Sequence, residues 1–459
     1  MLKFPLMLMV RADIRKFSTW CDSVKSSDSL KTRAAATLLT LAGVLGAGSA
    51  SADADFTLSG FGTLGATYSN SRETDFVGSL YQPNGPGRSA PVMFGVDTKA
   101  GVQGAFTLDN GLSGVLQVVS DHRADNTYSP EVEWASLKYQ IADTYVRAGR
   151  VVAPVFMVSV YRDVGYAQIP VRQSWDVYSL NPIKHLDGVD VGTKFAVAEG
   201  TLSGQLALGR IKETLVPASF TGKGALGNLS YELASSTFRV GYGKYKLDFT
   251  VTDPAFPADL YMEVINSGIA SQYLGYATPN AKLSDVGLSM WSLGYLYDPG
   301  DWFAQGEYVR RKGEGTLVQS VAAWYVLAGY RFGQFKPYVS YANMRSIQSP
   351  LNPPARAPYS CAGFSLGADL LCDVTYLINT VDTVSNQRII QSTVSLGVRY
   401  DVFDKMALKL QYDRISKPGD SGSQTIGQFP VTPPGGWSND WVYNPKKVNL
   451  LSATLDFVF

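Results

Sequence analysis

Two histidines, His122 and His185, are the only side chains of their kind in the chain, so acid–base or nucleophilic catalysis near neutral pH has to be sought around them. His122 lies in Ser120-Asp121-His122-Arg123 and His185 in Lys184-His185-Leu186-Asp187-Gly188. Either could join a nucleophile–His–acid set in space. No nucleophile motif accompanies them, however, and the chain has no Gly-rich phosphate loop, HExxH run or paired-Cys metal spacing. The expectation is therefore no catalytic residue, no metal and no cofactor. Cys361 and Cys372 stand eleven positions apart with no histidine nearby. In an exported chain that spacing reads as a disulfide within a loop. A formal charge of +1 gives no reason to expect nucleic acid as a partner.

Any site must be carried by the elements, and these read as strands. Hydrophobic residues make up 45% of the 459, yet mean hydropathy is −0.02, so the apolar content is dispersed. Beyond the N-terminal region no apolar run approaches the length of about 18 residues that a membrane-crossing helix needs. Lys31 and Arg33 precede the apolar stretch Ala34 to Ala47 and then Gly48-Ser49-Ala50-Ser51-Ala52, the pattern of a cleaved export signal. Residues 1–52 are read as an N-terminal extension plus signal peptide, with translation expected to begin at Leu30, and 53–459 as one domain. Removal of 1–52 takes away seven basic and three acidic residues and leaves 33 basic against 36 acidic, a net of −3.

Alternation with period two recurs to the end of the chain. Val92, Phe94, Val96, Thr98, Ala100, Val102, Gly104, Phe106 and Leu108 share one face of a single long strand. Sixteen strands are expected, near 55–68, 92–108, 112–121, 131–140, 144–150, 188–197, 201–210, 227–234, 237–250, 285–297, 302–311, 319–331, 335–343, 388–400, 405–414 and 447–459. The connections alternate between short ones, such as Asp109-Asn110-Gly111 and Asp298-Pro299-Gly300-Asp301, and long ones at 69–91, 122–130, 151–187, 211–226, 251–284, 312–318, 344–387 and 415–446. The short ones hold the Gly, Asn, Asp and Pro of tight hairpins. Long loops at one end and short turns at the other are the arrangement of a transmembrane antiparallel β-barrel, with periplasmic turns and extracellular loops. The fold class is all-β.

The last strand alternates Leu451, Ala453, Leu455, Phe457 and Phe459 with Ser452, Thr454, Asp456 and Val458, and ends on Phe. A free edge so apolar invites aggregation unless it closes on another strand, and Phe56, Leu58, Leu64 and Ala66 of the first strand offer one. This aromatic-x-Phe ending resembles the signal, at Phe457 and Phe459, by which barrel-assembly machinery recognises outer-membrane proteins. Val146-Arg147-Ala148-Gly149-Arg150, Leu327-Ala328-Gly329-Tyr330-Arg331-Phe332-Gly333, Lys336-Pro337-Tyr338-Val339-Ser340-Tyr341 and Gly397-Val398-Arg399-Tyr400-Asp401 come in an order that resembles the Gram-negative general porin superfamily over the mature chain. The resemblance implies an outer-membrane porin, a water-filled channel for passive diffusion of small hydrophilic solutes or ions. It also implies a homotrimer, with outer-membrane lipid, lipopolysaccharide and the assembly machinery as partners. A solute-specific channel, and a barrel acting mainly as an adhesin or binding surface, are the alternatives.

In the family resembled, the third long loop enters the lumen and narrows it. Here that loop is 151–187, and its charges Arg162, Asp163, Arg172, Asp176 and Lys184 are the expected constriction, set across a watery neck to orient polar solutes. One segment departs from the family: Ala153 to Val160 is apolar where typical diffusion porins are acid-rich. Parity places Lys99, Arg147, Lys194, Glu307, Arg399 and Lys409 on the inner wall, where basic residues outnumber acidic ones. Weak anion preference is the expectation.

Overall fold

The computed structural model describes residues 54–216, 218–251, 283–314, 318–347, 388–419, 425–426 and 439–459. The N-terminal segment 1–52 and the Cys361/Cys372 pair lie outside the described residues. Sixteen long strands form one sheet: β1 Ala54–Ser69, β2 Lys99–Leu108, β3 Leu112–Asp121, β4 Glu131–Ile141, β5 Thr144–Val152, β6 His185–Val197, β7 Gly200–Thr214 and β8 Ala218–Leu233. The second half is β9 Ser236–Val251, β10 Val286–Tyr297, β11 Trp302–Gly313, β12 Val321–Tyr330, β13 Phe335–Ser346, β14 Arg388–Phe403, β15 Met406–Lys417 and β16 Lys446–Val458. Each pairs antiparallel with its sequence neighbours, and β1 closes on β16 from Phe61↔Val458 to Ser69↔Leu450. The expected closed all-β barrel of sixteen strands is what the chain forms.

Its burial is inverted relative to a water-soluble sheet. In β15, Leu408 and Leu410 are 47% and 54% exposed, while Lys409, Gln411 and Asp413 between and beyond them are 1%, 5% and 4% exposed. Alternating side chains must point to opposite faces of a strand. The outer face is therefore apolar and the inner face takes the charges, as a barrel standing in lipid requires. Closure at the C-terminus uses glycine. Phe459 and Gly60 exchange two backbone hydrogen bonds at 3.0 Å each. The rings of Phe459 and Phe457 lie where a Cβ on Gly60 or Gly62 would stand, 2.2 and 2.3 Å from it.

Several boundaries differ from those expected. The strand expected over 92–108 is interrupted: Val92–Met93 pairs separately with β1, and regular pairing resumes only at Lys99. Between them Thr98 turns its hydroxyl onto the Phe94 carbonyl at 2.5 Å, and Asp97 leaves the ladder to meet a loop arginine. The long connection expected at 211–226 is only 215–217, because β7 runs on to Thr214 and β8 begins at Ala218. Gly222 and Gly224 looked like loop residues but lie within the strand, so the long–short alternation breaks at this one place. Three two-residue turns, at 142–143, 198–199 and 234–235, put an alanine at positive φ: Ala142 at 50°, Ala198 at 52° and Ala234 at 48°.

Candidate channel constriction

The third long connection spans 153–184, slightly shorter than the expected 151–187, since Val151, Val152 and His185 to Asp187 belong to β5 and β6. Its neck is tied by the Ala153 amide donating to the Lys184 carbonyl at 2.8 Å. The apolar segment after the neck has a packing reason. Val155, Phe156 and Val158 are buried against inward-facing Leu226 of β8, Tyr245 and Leu247 of β9, Met290 of β10, Val309 of β11 and Tyr325 of β12. The expectation of a polar inner face is thereby corrected for this arc: from β7 to β13 much of the inner wall is apolar, because the loop covers it and keeps water off it. The Phe156 and Tyr178 rings meet at 4.9 Å, Tyr178 lying in the single turn α1, Trp175–Tyr178.

Polar groups fix the same arm. Ser292 donates to the Val155 carbonyl at 2.8 Å. Glu307, buried, accepts from the Met157 amide at 3.1 Å and the Tyr178 hydroxyl at 2.9 Å. Gly241 has no room for a side chain, since a Cβ would stand 2.2 Å from the Val155 carbonyl oxygen.

The remaining charges lie on the loop's other turns. Arg162 donates to the Asn181 and Tyr178 carbonyls at 3.1 and 3.4 Å. Asp163 meets Lys184 at 3.2 Å and Lys99 of β2 at 3.7 Å, and Lys184 also reaches Asp121 of β3 at 3.3 Å. Burial opposes the Asp163 charge, but Lys184, Lys99 and Arg162 outweigh it and hold the carboxyl well below the usual range. Burial likewise opposes the Lys184 charge, and Asp163, Asp121 and Glu133 outweigh it, keeping the ammonium above the usual lysine range. Arg172 clamps Asp97 with two nitrogens at 2.9 and 2.6 Å, and reaches Asp413 of β15 at 3.3 Å and Ser452 of β16 at 2.8 Å. Asp176 is buried in α1 and accepts from Gln391 at 3.1 Å and Thr393 at 2.8 Å, both on β14. Burial pushes its carboxyl up to about 6, against those two hydrogen bonds.

Wall residues meet the loop or one another. Arg147 of β5 pairs with Asp190 of β6 through two contacts at 2.7 and 2.8 Å. Arg399 of β14 donates to the Tyr166 and Gln168 carbonyls and pairs with Asp401 at 2.6 Å. Lys409 donates to the Gly165 and Pro170 carbonyls at 2.8 and 3.1 Å and pairs with Asp456 at 2.9 Å, both side chains fully buried. Lys194 is exposed on the same face of β6 as Asp190. Asp97, Asp190, Asp413 and Asp456 are partners that residue type and spacing alone do not single out. The parity of β15 held the signal for one of them, since Lys409, Gln411 and Asp413 alternate with Leu408, Leu410 and Tyr412.

The loop thus touches β1 to β3, β8 to β11 and β14 to β16, and lies across the lumen. Cavities remain beside it. One of about 810 Å³ is lined by Thr63, Gln82, Lys99, Arg162, Asp163 and Lys184 among others. One of about 280 Å³ lies between Ser159 to Val164 and Gln117 and Glu133. A third, of about 530 Å³, separates Arg172 to Asp176 from β12 to β15. Arg239 of β9 and Arg311 of β11 also face the loop, donating to the Pro154 and Leu180 carbonyls, and have no carboxylate within ion-pair distance among the described residues.

Residues 35–427 match the Gram-negative porin family. No curated protein matches the chain. Among solved structures it is similar to an anion-selective porin from Comamonas acidovorans (12% identity, 89% of this chain and 100% of that one, TM-score 0.49). It is also similar to the outer membrane channel DcaP of Acinetobacter baumannii (11%, 88% and 97%, 0.49). A third similar structure is OmpF of Salmonella typhi in complex with daunomycin (14%, 88% and 97%, 0.47). None of these likenesses reaches a TM-score of 0.5, so the kinship of the chain rests on the family match.

Proposed function

The chain belongs to the Gram-negative porin family, an outer-membrane channel for passive diffusion of small hydrophilic solutes or ions, and we propose on that premise that loop 153–184 is its constriction and sets a weak preference for anions. The observation that supports this is a difference in pairing. Lys99, Arg147, Arg399 and Lys409 each face a carboxylate at ion-pair distance and so contribute little net field. Arg162, Arg239 and Arg311 donate to carbonyls or hydroxyls instead, and Arg162 borders two of the cavities. Unpaired guanidiniums over a narrow polar path raise the local concentration of anions. The test is the reversal potential of the purified protein in planar bilayers under a salt gradient. Anion preference, shifted toward cations by Arg162→Gln, is expected; cation preference in the unmodified protein would overturn the reading.

A solute-specific channel is the second reading, favoured by one observation: the loop rests on a packed apolar core, which gives the opening a defined shape. Saturable block of conductance by one class among sugars, amino acids and dicarboxylates would support it. No catalysis, metal or cofactor enters this function. His122 is engaged with the amide of Asn126 at 2.8 Å and His185 with the carboxylate of Glu133 at 3.1 Å. The full reading adds removal of 1–52 on export and recognition of Phe457 and Phe459 by the barrel-assembly machinery. It also adds assembly as a homotrimer among outer-membrane lipid and lipopolysaccharide.

A further inference from the structure

The outer face of the barrel carries charges that the channel does not use. Cross-strand register sets Arg210 of β7 directly opposite Lys223 of β8, and Lys223 directly opposite Lys246 of β9. These positions share the outward parity of the exposed Leu208, Leu229 and Tyr242, so three cations stand side by side on neighbouring strands. Strands in a sheet lie about 4.8 Å apart. Lys244 and Lys312 flank Ser289 of β10 in a second row, with Arg310 two residues from Lys312 on the same face of β11. Among the described residues only Lys246 of the first row has an acidic partner, Asp285 at 2.8 Å. Asp187 of β6 is opposite Arg210 on its other side, but its carboxylate is held by Arg150 at 2.7 Å. Among the described residues Arg210, Lys223, Lys244 and Lys312 have no ion pair. The outward faces of β1 to β3, by contrast, carry no charged residue.

Like charges directly opposite one another destabilise a sheet, so a row of three is unfavourable unless an anion relieves it. Below the row, toward the short turns, the same strands expose Leu206, Leu208, Leu229, Val240 and Tyr242. Cations above an apolar strip match an amphiphile with phosphate above acyl chains. A zwitterionic phospholipid brings its own cation and relieves nothing. A second copy of the chain docked here would bury unpaired charge, which is costly.

We propose that the row Arg210–Lys223–Lys246 binds the phosphates of an outer-leaflet glycolipid of the lipid A type, with its acyl chains on the apolar strip below. This rests on the outer-membrane placement and names a site for the lipopolysaccharide partner; it does not depend on conduction. The probe is diphosphoryl lipid A, titrated into the full barrel in lipopolysaccharide-free detergent beside the same lipid stripped of both phosphates. Replacing all three cations (Arg210→Gln, Lys223→Gln, Lys246→Gln) should weaken binding of the diphosphoryl form roughly 100-fold, at about one kcal/mol per cation. Arg414→Gln, an outward cation on β15, should leave binding unchanged. Lys223→Gln alone should resist heat in lipid-free detergent at least as well as the unmodified barrel, because it removes repulsion, and should gain less from added lipid. Equal affinity of the triple variant, or equal binding of the phosphate-free lipid, would overturn the proposal. Loss of conductance with lipid binding intact would instead tell against the channel reading and leave this site standing.

Discussion

Replacing Arg172 with Met keeps the length and apolar stem of the side chain and removes its fork. Asp97 and Asp413, 6% and 4% exposed, would then be left without their shared cation, and Ser452 would lose a partner at 2.8 Å. Removing one member of a buried ion pair costs about 3–5 kcal/mol, mostly from the stranded charge. Opposing detachment of the loop are Val155, Phe156, Val158, Val177, Leu180 and Ile183, all 2% exposed or less. Each contributes about 1.5–3 kcal/mol by burial, so together they exceed the loss several-fold. The loop should therefore stay seated, while the segment near Arg172 loosens. Denaturant unfolding of the barrel in detergent should report a loss of about 3–5 kcal/mol, and single-channel recording should show more open-channel noise at little changed mean conductance. Neutralising the stranded carboxylates as well (Asp97→Asn, Asp413→Asn) should restore most of the stability. An unchanged unfolding midpoint, or conductance rising to that of a barrel with 155–182 deleted, would refute the reasoning.

Asp176 gives a pH signature. Its carboxyl is raised by burial from 3.8 to about 6, so between those values the folded protein holds a proton that the unfolded chain has released. Stability from this group is thus fully present below about pH 4 and falls as pH rises toward 6, by at most about 3 kcal/mol. Asp176→Asn should flatten that slope in unfolding midpoints taken from pH 4 to 7, and an unaltered slope would count against it. Gly241→Val places a side chain against the Val155 carbonyl and should cost about 1–3 kcal/mol and alter conductance. Gly104→Val, where nothing lies within 4 Å, is the control that should do neither.

The barrel was legible because membrane strands repeat one physical rule, and β15 or β16 states it without ambiguity. It failed where residue type and position disagree. In β8, Gly222, Gly224 and Gly227 carry no side chain to show the period, and Lys223 faces outward. In β12, Val321-Ala322-Ala323-Trp324-Tyr325-Val326-Leu327 is apolar on both faces, so parity cannot say which side meets the loop. The charges of the third loop were visible, but their partners were not. Arg172 meets Asp413 across 241 positions, and Lys409 meets Asp456 only because neighbouring strands are in register. The apolar Ala153 to Val160 stood out as a departure, yet its cause is tertiary: it needs the inner faces of β8 to β12 assembled beneath it.

The three alanines at positive φ bear on how the sheet finds its pairing. A left-handed conformation costs a residue with a Cβ about 1–2 kcal/mol, so the turns at Ala142, Ala198 and Ala234 oppose the hairpins they close. Around Ala234 the ladder runs without a break from Ser236↔Leu233 to Val251↔Ala218, sixteen consecutive pairs. That much cooperative pairing overrides one unfavourable corner. Alignment in this part of the barrel is accordingly imposed by the strands and suffered by the turns: these hairpins have no seed at their tips and must be held in place by pairing along their length before the corner will bend.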